Sequence, residues 1–267
     1  MKRVLTIAGS DSGGGAGIQA DLKTFSAHGL YGMSVVTAVT AQNTVTVSAV
    51  QLVEPQVIAA QIDAVFEDIG VDAVKVGMLA DPEAIEVVVD RLRHWKPGHL
   101  VVDPVMFTKS RFPLLQAPAI DALLNQLLPI ATIITPNIPE AERLVGRPIH
   151  TLNEMELAAR ELGSKGEVSV LVKGGALKEG NAVDLYYCDG KIYRFSSERF
   201  DQRHTHGTGC TLSAAIAANL ALGHSKLQSV ERAKSYISGA IQAAFPLGKG
   251  IGPVNHFYRI DFGEREG

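Results

Sequence analysis

Cysteine is scarce: Cys188 and Cys210 are the two in 267 residues, far apart and in different contexts. They imply no disulfide framework, and without a C-x-x-C pair the usual zinc and dithiol sites are excluded. A reducing compartment, the cytoplasm, is expected. Charge is modest as well: 20% of residues are charged, the formal net charge is −3, and no dense Lys/Arg tract occurs. Nucleic acid is therefore a poor candidate partner. Long apolar runs are missing. Val4–Ala8, behind Met1-Lys2-Arg3, is too short for a signal-peptide core and is ended by Gly9-Ser10-Asp11. Nothing approaches the ~20 apolar residues needed to cross a bilayer, so no membrane partner is expected.

Several common motifs fail on a single residue. The loop Gly13-Gly14-Gly15-Ala16-Gly17 suggests a dinucleotide fingerprint, but Ile18 stands where its third glycine is required. A P-loop needs Gly-Lys followed by Ser or Thr; Gly190-Lys191 is followed by Ile192, and Gly248-Lys249 by Gly250. No G-x-S-x-G elbow is present. No Pro/Ser-rich linker, internal repeat or low-complexity tract divides the chain, which predicts one domain over residues 1–267.

What is present is an alternation of short buried strands and helices. Val4–Ala8, Ser34–Thr40, Ala73–Gly77, Leu100–Asp103, Thr132–Thr135 and Val168–Lys173 read as strands, with a further extended piece around Val47–Val53. Helical spacing covers Ile18–Ala27 and Pro55–Ile69, then Pro82 to about His94 behind the cap Asp81. Another helix is expected from beyond Lys109 to about Leu128, a short one from Asn137, and a longer one over Asn153–Leu162. In the last, Asn153 and Glu156 are spaced as a cap and its partner. Val183–Phe195 reads as a hairpin turning at Asp189-Gly190, and two helices fill the chain to Phe245. The alternation predicts a mainly parallel sheet between helices, with ligands at the C-terminal ends of the strands. Gly9-Ser10-Asp11, Gln42-Asn43, Gly77-Met78, Asp103, Asn137, Glu140 and Lys173 all fall at that edge.

One stretch stands out. Thr205-His206-Gly207-Thr208-Gly209-Cys210-Thr211 runs directly into the helix-forming Leu212–Leu222, which Gly223 closes. Glycines ahead of a helix let several unpaired N–H groups converge on an anion, which the helix dipole also favours. Cys210 at the helix start is expected to have a lowered thiol pKa and to act as a base. The plainer reading is a Gly-rich turn capping a buried helix with an inert Cys210. His204, His206 and Cys210 could gather a metal, but lack the usual ligand count.

Taken in order, Ala8–Asp11 with Gly14–Thr24, Thr40–Thr44, Lys75–Leu79, Val102–Met106, Thr135–Asn137 with Pro139–Ala141, Lys173–Gly175, Thr205–Ala215 and Gly248–Pro253 resemble the signature of hydroxymethylpyrimidine/phosphomethylpyrimidine kinases. The resemblance covers nearly the whole chain. It implies a ribokinase-like three-layer α/β/α sandwich with a mainly parallel central sheet and a small β-hairpin. It implies transfer of phosphate from ATP, with Mg²⁺, to 4-amino-5-hydroxymethyl-2-methylpyrimidine (HMP), and then to HMP-phosphate, in thiamin biosynthesis. By resemblance, Cys210 takes the proton of the attacking hydroxyl, and the amides of Gly207, Thr208, Gly209 and Cys210 form the anion hole. Asp103 and Glu140 hold Mg²⁺, directly or through water. Asn137, Lys173 and Thr208 meet ATP. Gln42 reads the aminopyrimidine edge, with Gly9, Asp21, Met78 and Val105 in the substrate-binding set. A homodimer is expected on the same ground.

Two places depart from the family pattern: Ser110-Arg111-Phe112-Pro113 replaces an expected Gly-Asp pair, and Gln202-Arg203-His204 replaces a Lys-Asn approach. Both are expected in loops over the site, where they bear on lid behaviour and on the second phosphorylation. The competing readings are a pyridoxal/pyridoxine kinase or dual-activity kinase, and a non-catalytic pyrimidine-binding sensor on the same fold.

Overall fold

The computed structural model describes residues 1–107, 115, 117–176, 182–197 and 202–261; the Ser110–Pro113 departure lies outside them. Strand β1 (Arg3–Ala8), buried from Val4 onward, is followed by a small-residue loop and α1 (Gly17–Ala27). Strand β2 (Tyr31–Val36) pairs in parallel with β1, and Val36 meets Ala8 as the last partner in that ladder. Thr37 N still donates to Ala8 O at 3.0 Å, but Thr37 O accepts from Val53 N, and the single strand expected over Ser34–Thr40 breaks there. Thr37 donates its hydroxyl to Met78 O at 2.8 Å. The chain then leaves as β3 (Ala38–Gln42), which pairs antiparallel with β4 (Val47–Leu52) in a separate ribbon, irregular at Ala41/Gln42.

A proline opens α2 (Pro55–Asp68), and β5 (Ala73–Val76) follows, buried at every residue. Helix α3 (Pro82–Trp95) is capped by Asp81, which accepts from Ala84 N as expected. After β6 (Leu100–Val102), α4 (Ala117–Ala122) loosens into a π turn and a 3₁₀ turn ending at Ile130; the expected start of this helix near Lys109 lies outside the described residues. Next come β7 (Ile133–Ile134) and α5 (Ile138–Val145), whose cap Asn137 and N3 residue Glu140 form a reciprocal capping box. Helix α6 (Leu152–Gly163) is capped by Thr151 with Glu154, not by Asn153 with Glu156. Both pairs have the right spacing, but the earlier start keeps Leu152 in the helix and packed on the core.

Strand β8 (Ser169–Val172) precedes β9 (Ala182–Cys188) and β10 (Lys191–Ser197). The last two are joined by Asp189 and Gly190, both at positive φ, as a primed hairpin turn demands. Helices α7 (Thr208–Ala221) and α8 (Lys226–Gln242) complete the order.

The eight-stranded sheet runs β10-β9-β8-β7-β6-β5-β1-β2, parallel from β8 to β2, with β9 and β10 antiparallel at one edge. Alternate residues serve opposite faces. Leu5, Val74, Val102, Ile134 and Val170 pack toward α2 to α6; Val4, Ala73, Val101, Ile133 and Leu171 pack toward α1, α7 and α8. Helix α7 is buried from Thr211 to Ala221, which explains why its sequence is apolar nearly all round. The expected three layers are present.

Candidate active site

The loops beyond β1, β5, β6, β7 and β8 meet the start of α7 around a cavity of about 240 Å³. Gly9, Gln42, Met78 and Val105 from the expected substrate group line it, and so do Asp103, Asn137, Glu140, Lys173 and Gly207–Cys210. Gly9 has a local reason to lack a side chain, since a Cβ there would overlap the methyl group of Met78.

At the mouth of α7, Gly207 takes φ +79°, and a Cβ on it would overlap Gly15 O. Glycine is required on both counts. Thr208 turns inward: its N–H and hydroxyl both donate to Thr205 O, at 3.4 and 2.7 Å. That corrects its expected place among the anion-hole donors. The first intrahelical bond is Thr211 N to Gly207 O at 2.9 Å, so among the described residues Gly209 and Cys210 keep open amides, as the second and third residues of a helix do. A Cβ on Gly209 would stand 3.4 Å from Lys173 Nζ and 3.5 Å from Asp103 Oδ2. The open amides therefore sit directly over a charged cluster.

In that cluster Lys173 Nζ lies 2.8 Å from Asp103 Oδ1 and 4.0 Å from Glu140 Oε2. Thr135 donates to Asp103 Oδ1 at 3.0 Å and Ser213 to Oδ2 at 3.4 Å. Burial alone would raise the Asp103 carboxyl, but the Lys173 and Lys75 charges outweigh it and hold the pKa below the ordinary value. Glu140 is pushed up to about 7 by burial and by the Asp103 charge, against the pull of Lys173. Two carboxylates thus share one ammonium, leaving negative charge for a further cation.

Three expectations change in the structure. Asp21 does not line the cavity. It is fully buried behind it, where Oδ2 accepts from Thr6 Oγ1 at 2.6 Å and from Lys75 Nζ at 2.8 Å. Cys210 is half-buried, and burial pushes its thiol up to about 11, overriding the helix-dipole effect expected to lower it. Lys75 and the Gly17 N–H oppose the rise; Asp21 and Asp103 add to it. His204, His206 and Cys210 do not assemble: His204 Nδ1 accepts from Gly252 N at 3.0 Å, and no group of three His/Cys/Asp/Glu placed to hold a metal occurs among the described residues.

Two residues with no expected role in the site, Lys75 and Asp11, also line the cavity. Lys75 does so although it is fully buried in β5. A lysine inside an apolar strand bounded by helices on both faces was the available signal. Asp11 accepts from Gly13 N, Gly15 N and Ala16 N at 2.9, 3.1 and 2.8 Å, so it organises the loop after β1. His206 Nε2 stands 2.8 Å from Asp11 Oδ2 and ties that loop to the mouth of α7. No local signal joins residues so distant in sequence.

Residues 11–255 match the family described as phosphomethylpyrimidine kinase. The chain is 51% identical to a hydroxymethylpyrimidine/phosphomethylpyrimidine kinase of Rhizobium meliloti, over 96% of this chain and 97% of that one. It is also 51% identical to a thiamine biosynthesis bifunctional protein of Geobacter sulfurreducens, covering 95% of this chain but only 52% of the relative's length. Among solved structures, the pyridoxal kinase of Bacillus subtilis in complex with ADP superposes with a TM-score of 0.91 at 39% identity, covering 98% of this chain and 100% of that one.

Proposed function

The chain belongs to the phosphomethylpyrimidine kinase family, and on that premise we propose that it phosphorylates HMP on its hydroxymethyl group and then HMP-phosphate to the diphosphate, with ATP, in thiamin biosynthesis. One observation carries the reading: open amides at the start of α7 lie over the Lys173–Asp103 pair, with Cys210 in the same cavity. Phosphoryl transfer needs this combination of positioning and charge neutralisation more than covalent chemistry.

In the proposed reaction the Cys210 sulfur, which must first give up its own proton, takes the hydroxyl proton as the oxygen attacks the terminal phosphorus of ATP. The new O–P bond forms while the bond to ADP breaks, and that electron pair leaves on the ADP oxygen. The amides of Gly209 and Cys210 face the transferring oxygens, and Lys173 offsets their charge as a compact cation. Asn137 orients the phosphates. Gln42, which carries both a donor and an acceptor, reads the ring edge between Gly9, Met78 and Val105.

Magnesium fits the chemistry of the donor set, since Asp103 and Glu140 offer hard oxygens and an excess of negative charge. Bound there, it would neutralise phosphate charge. Cytoplasmic location is supported by the use of ATP and by two free thiols. Exposed Val39, Val50 and Leu52 on the β3–β4 ribbon support a homodimer, which sedimentation would test. The unbroken main sheet supports treating residues 1–267 as one domain.

A second reading, pyridoxal kinase or dual activity, has the close superposition on the Bacillus subtilis enzyme in its favour. A coupled ATP assay on HMP, HMP-phosphate and pyridoxal separates them: higher kcat/KM on HMP supports the first reading, and higher kcat/KM on pyridoxal rejects it. Cys210→Ala should nearly abolish turnover while substrate still binds, and Cys210→Asp should retain more activity than Ala. Unchanged turnover in Cys210→Ala would remove this residue from the mechanism. Tight pyrimidine binding without any ATP turnover by the native chain would favour the sensor.

A further inference from the structure

Gln42 can meet a ring in two ways. Its amide oxygen accepts and its NH2 donates, and a half-turn about the last side-chain bond exchanges the two at little steric cost. A neighbour must choose between the orientations. Gln42 Nε2 lies 3.4 Å from Nε2 of His206, the one side-chain partner of this amide among the described residues. Gln42, His206 and Asp11 all line the active-site cavity.

His206 has no such freedom. Its Nε2 stands 2.8 Å from Asp11 Oδ2, and that carboxylate also accepts the N–H groups of Gly13, Gly15 and Ala16. A carboxylate so held is ionised and only accepts. The ring nitrogen therefore carries a hydrogen, whether the imidazole is neutral or charged. Packing fixes the ring as well, since a Cβ on Gly15 would stand 2.5 Å from His206 Cδ2. The Gln42 backbone is tied to the same loop: Gln42 N donates to Ser12 Oγ, which donates in turn to Gln42 O, both at 2.7 Å. The ribbon's register shifts at Ala41/Gln42, and an irregularity of this kind re-aims a side chain.

With the Gln42 NH2 toward His206, two donors would face each other. With the oxygen there, the amide shares the Nε2–H with Asp11. We propose that His206, oriented by Asp11, is a specificity-determining positioning residue: its Nε2–H takes the Gln42 oxygen and fixes the order in which Gln42 offers acceptor and donor to the substrate ring. The proposal rests on Gln42 as the reader of that ring. The oxygen keeps a second lone pair. The fixed amide thus suits an edge with an amine donor on the His206 side and an acceptor nitrogen beyond it. The adjacent amine and ring nitrogen of a 4-aminopyrimidine form such an edge.

The test reads selectivity. Each variant is assayed with ATP on HMP and on 5-hydroxymethyl-2-methylpyrimidine, the analogue without the amine. The native chain should prefer HMP at least tenfold in kcat/KM, the size of one hydrogen bond. His206→Leu, which has no donor, should cut that preference to about threefold or less, chiefly through a higher KM for HMP. His206→Gln, which restores an N–H near the same point, should keep most of it. In a Gln42→Ala background the preference is already lost, and His206→Leu should change it no further; a merely structural role would not show this coupling. If His206→Leu does not fold, His206→Phe keeps a ring in the same space without a donor and carries the same readout. Full preference in His206→Leu beside its loss in Gln42→Ala overturns the proposal and leaves the reading of Gln42 standing. An equal fall in activity on both compounds, with the preference intact, also overturns it, for His206 would then only hold loops together. A native chain without the preference, or Gln42→Ala that keeps it, strikes the reading of Gln42 and the proposal with it.

Discussion

Asp11, at the edge of the cavity, shows how a single side chain can shape a site through the backbone it gathers. Its carboxylate gathers three amides of the loop after β1 and meets His206 from the mouth of α7. Burial alone would raise its pKa, but His206, with the N–H groups of Ala16 and Gly13, outweighs burial and holds it below the ordinary carboxylate value. A depressed folded pKa means stability that is present above the unfolded value of about 4 and lost as pH falls through the lower folded value. Asp11→Asn should therefore lower the unfolding midpoint near neutral pH, and its gap from wild type should close in acid. Chemical denaturation across pH measures this; a gap independent of pH would show that the charge is idle.

The same scale marks where sequence reading reached and where it stopped. Met78, Asp103, Glu140 and Lys173 were expected at the cavity because each lies beyond a strand of the parallel sheet whose direction the alternation gives, whereas Gln42 reaches it from the β3–β4 ribbon. Asp21 was misplaced because a helix residue about one turn from its loop can face the core or the cavity, and only packing decides. Cys210 was expected at the helix start and lines the cavity there, but a helix dipole is visible in sequence, whereas the burial that pushes its thiol up is not.

Among the elements, the start of α7 tolerates least. Gly207→Ala must place a side chain at positive φ and against Gly15 O. Strain of this kind costs about 1–3 kcal/mol, and the backbone shift that relieves it would move the Gly209 and Cys210 amides. Turnover should fall by about a hundredfold, as when one oxyanion donor is lost. Thr151→Ala is the matched control. It removes the exposed cap of α6 and should cost about 1 kcal/mol, with turnover unchanged. Thermal unfolding and the coupled ATP assay give both numbers for each variant; equal activity losses would mean that α7 has no special role. This contrast was only half visible beforehand. Glycine ahead of α7 announced itself, but two equally spaced cap pairs near α6 did not reveal which one the chain would use.

Across the whole molecule, the parallel sheet does the gathering. Five strand ends and one helix start converge on one edge, so residues from Gly9 to Cys210 meet although no short segment contains the site. This was the most legible feature, because strand–helix alternation fixes strand direction and hence the edge where loops collect. The break at Thr37 and the departing β3–β4 ribbon were not legible, since they depend on where β1 stops offering partners. The arrangement also divides the site. Gln42 belongs to the ribbon, while Lys173 follows β8, several strands away. If pyrimidine and ATP engage these separate halves, each should stabilise the fold without the other. A ligand at a hundred times its Kd adds about 2.7 kcal/mol, which for a chain of this size raises Tm by roughly 5–10 °C. Lys173→Met should abolish the rise with ATP but keep the rise with HMP, and Gln42→Ala should do the reverse, each measured against its own unliganded Tm because removing Lys173 strands Asp103. If either substitution erased both shifts, the two halves would be one cooperative unit and the division would be wrong.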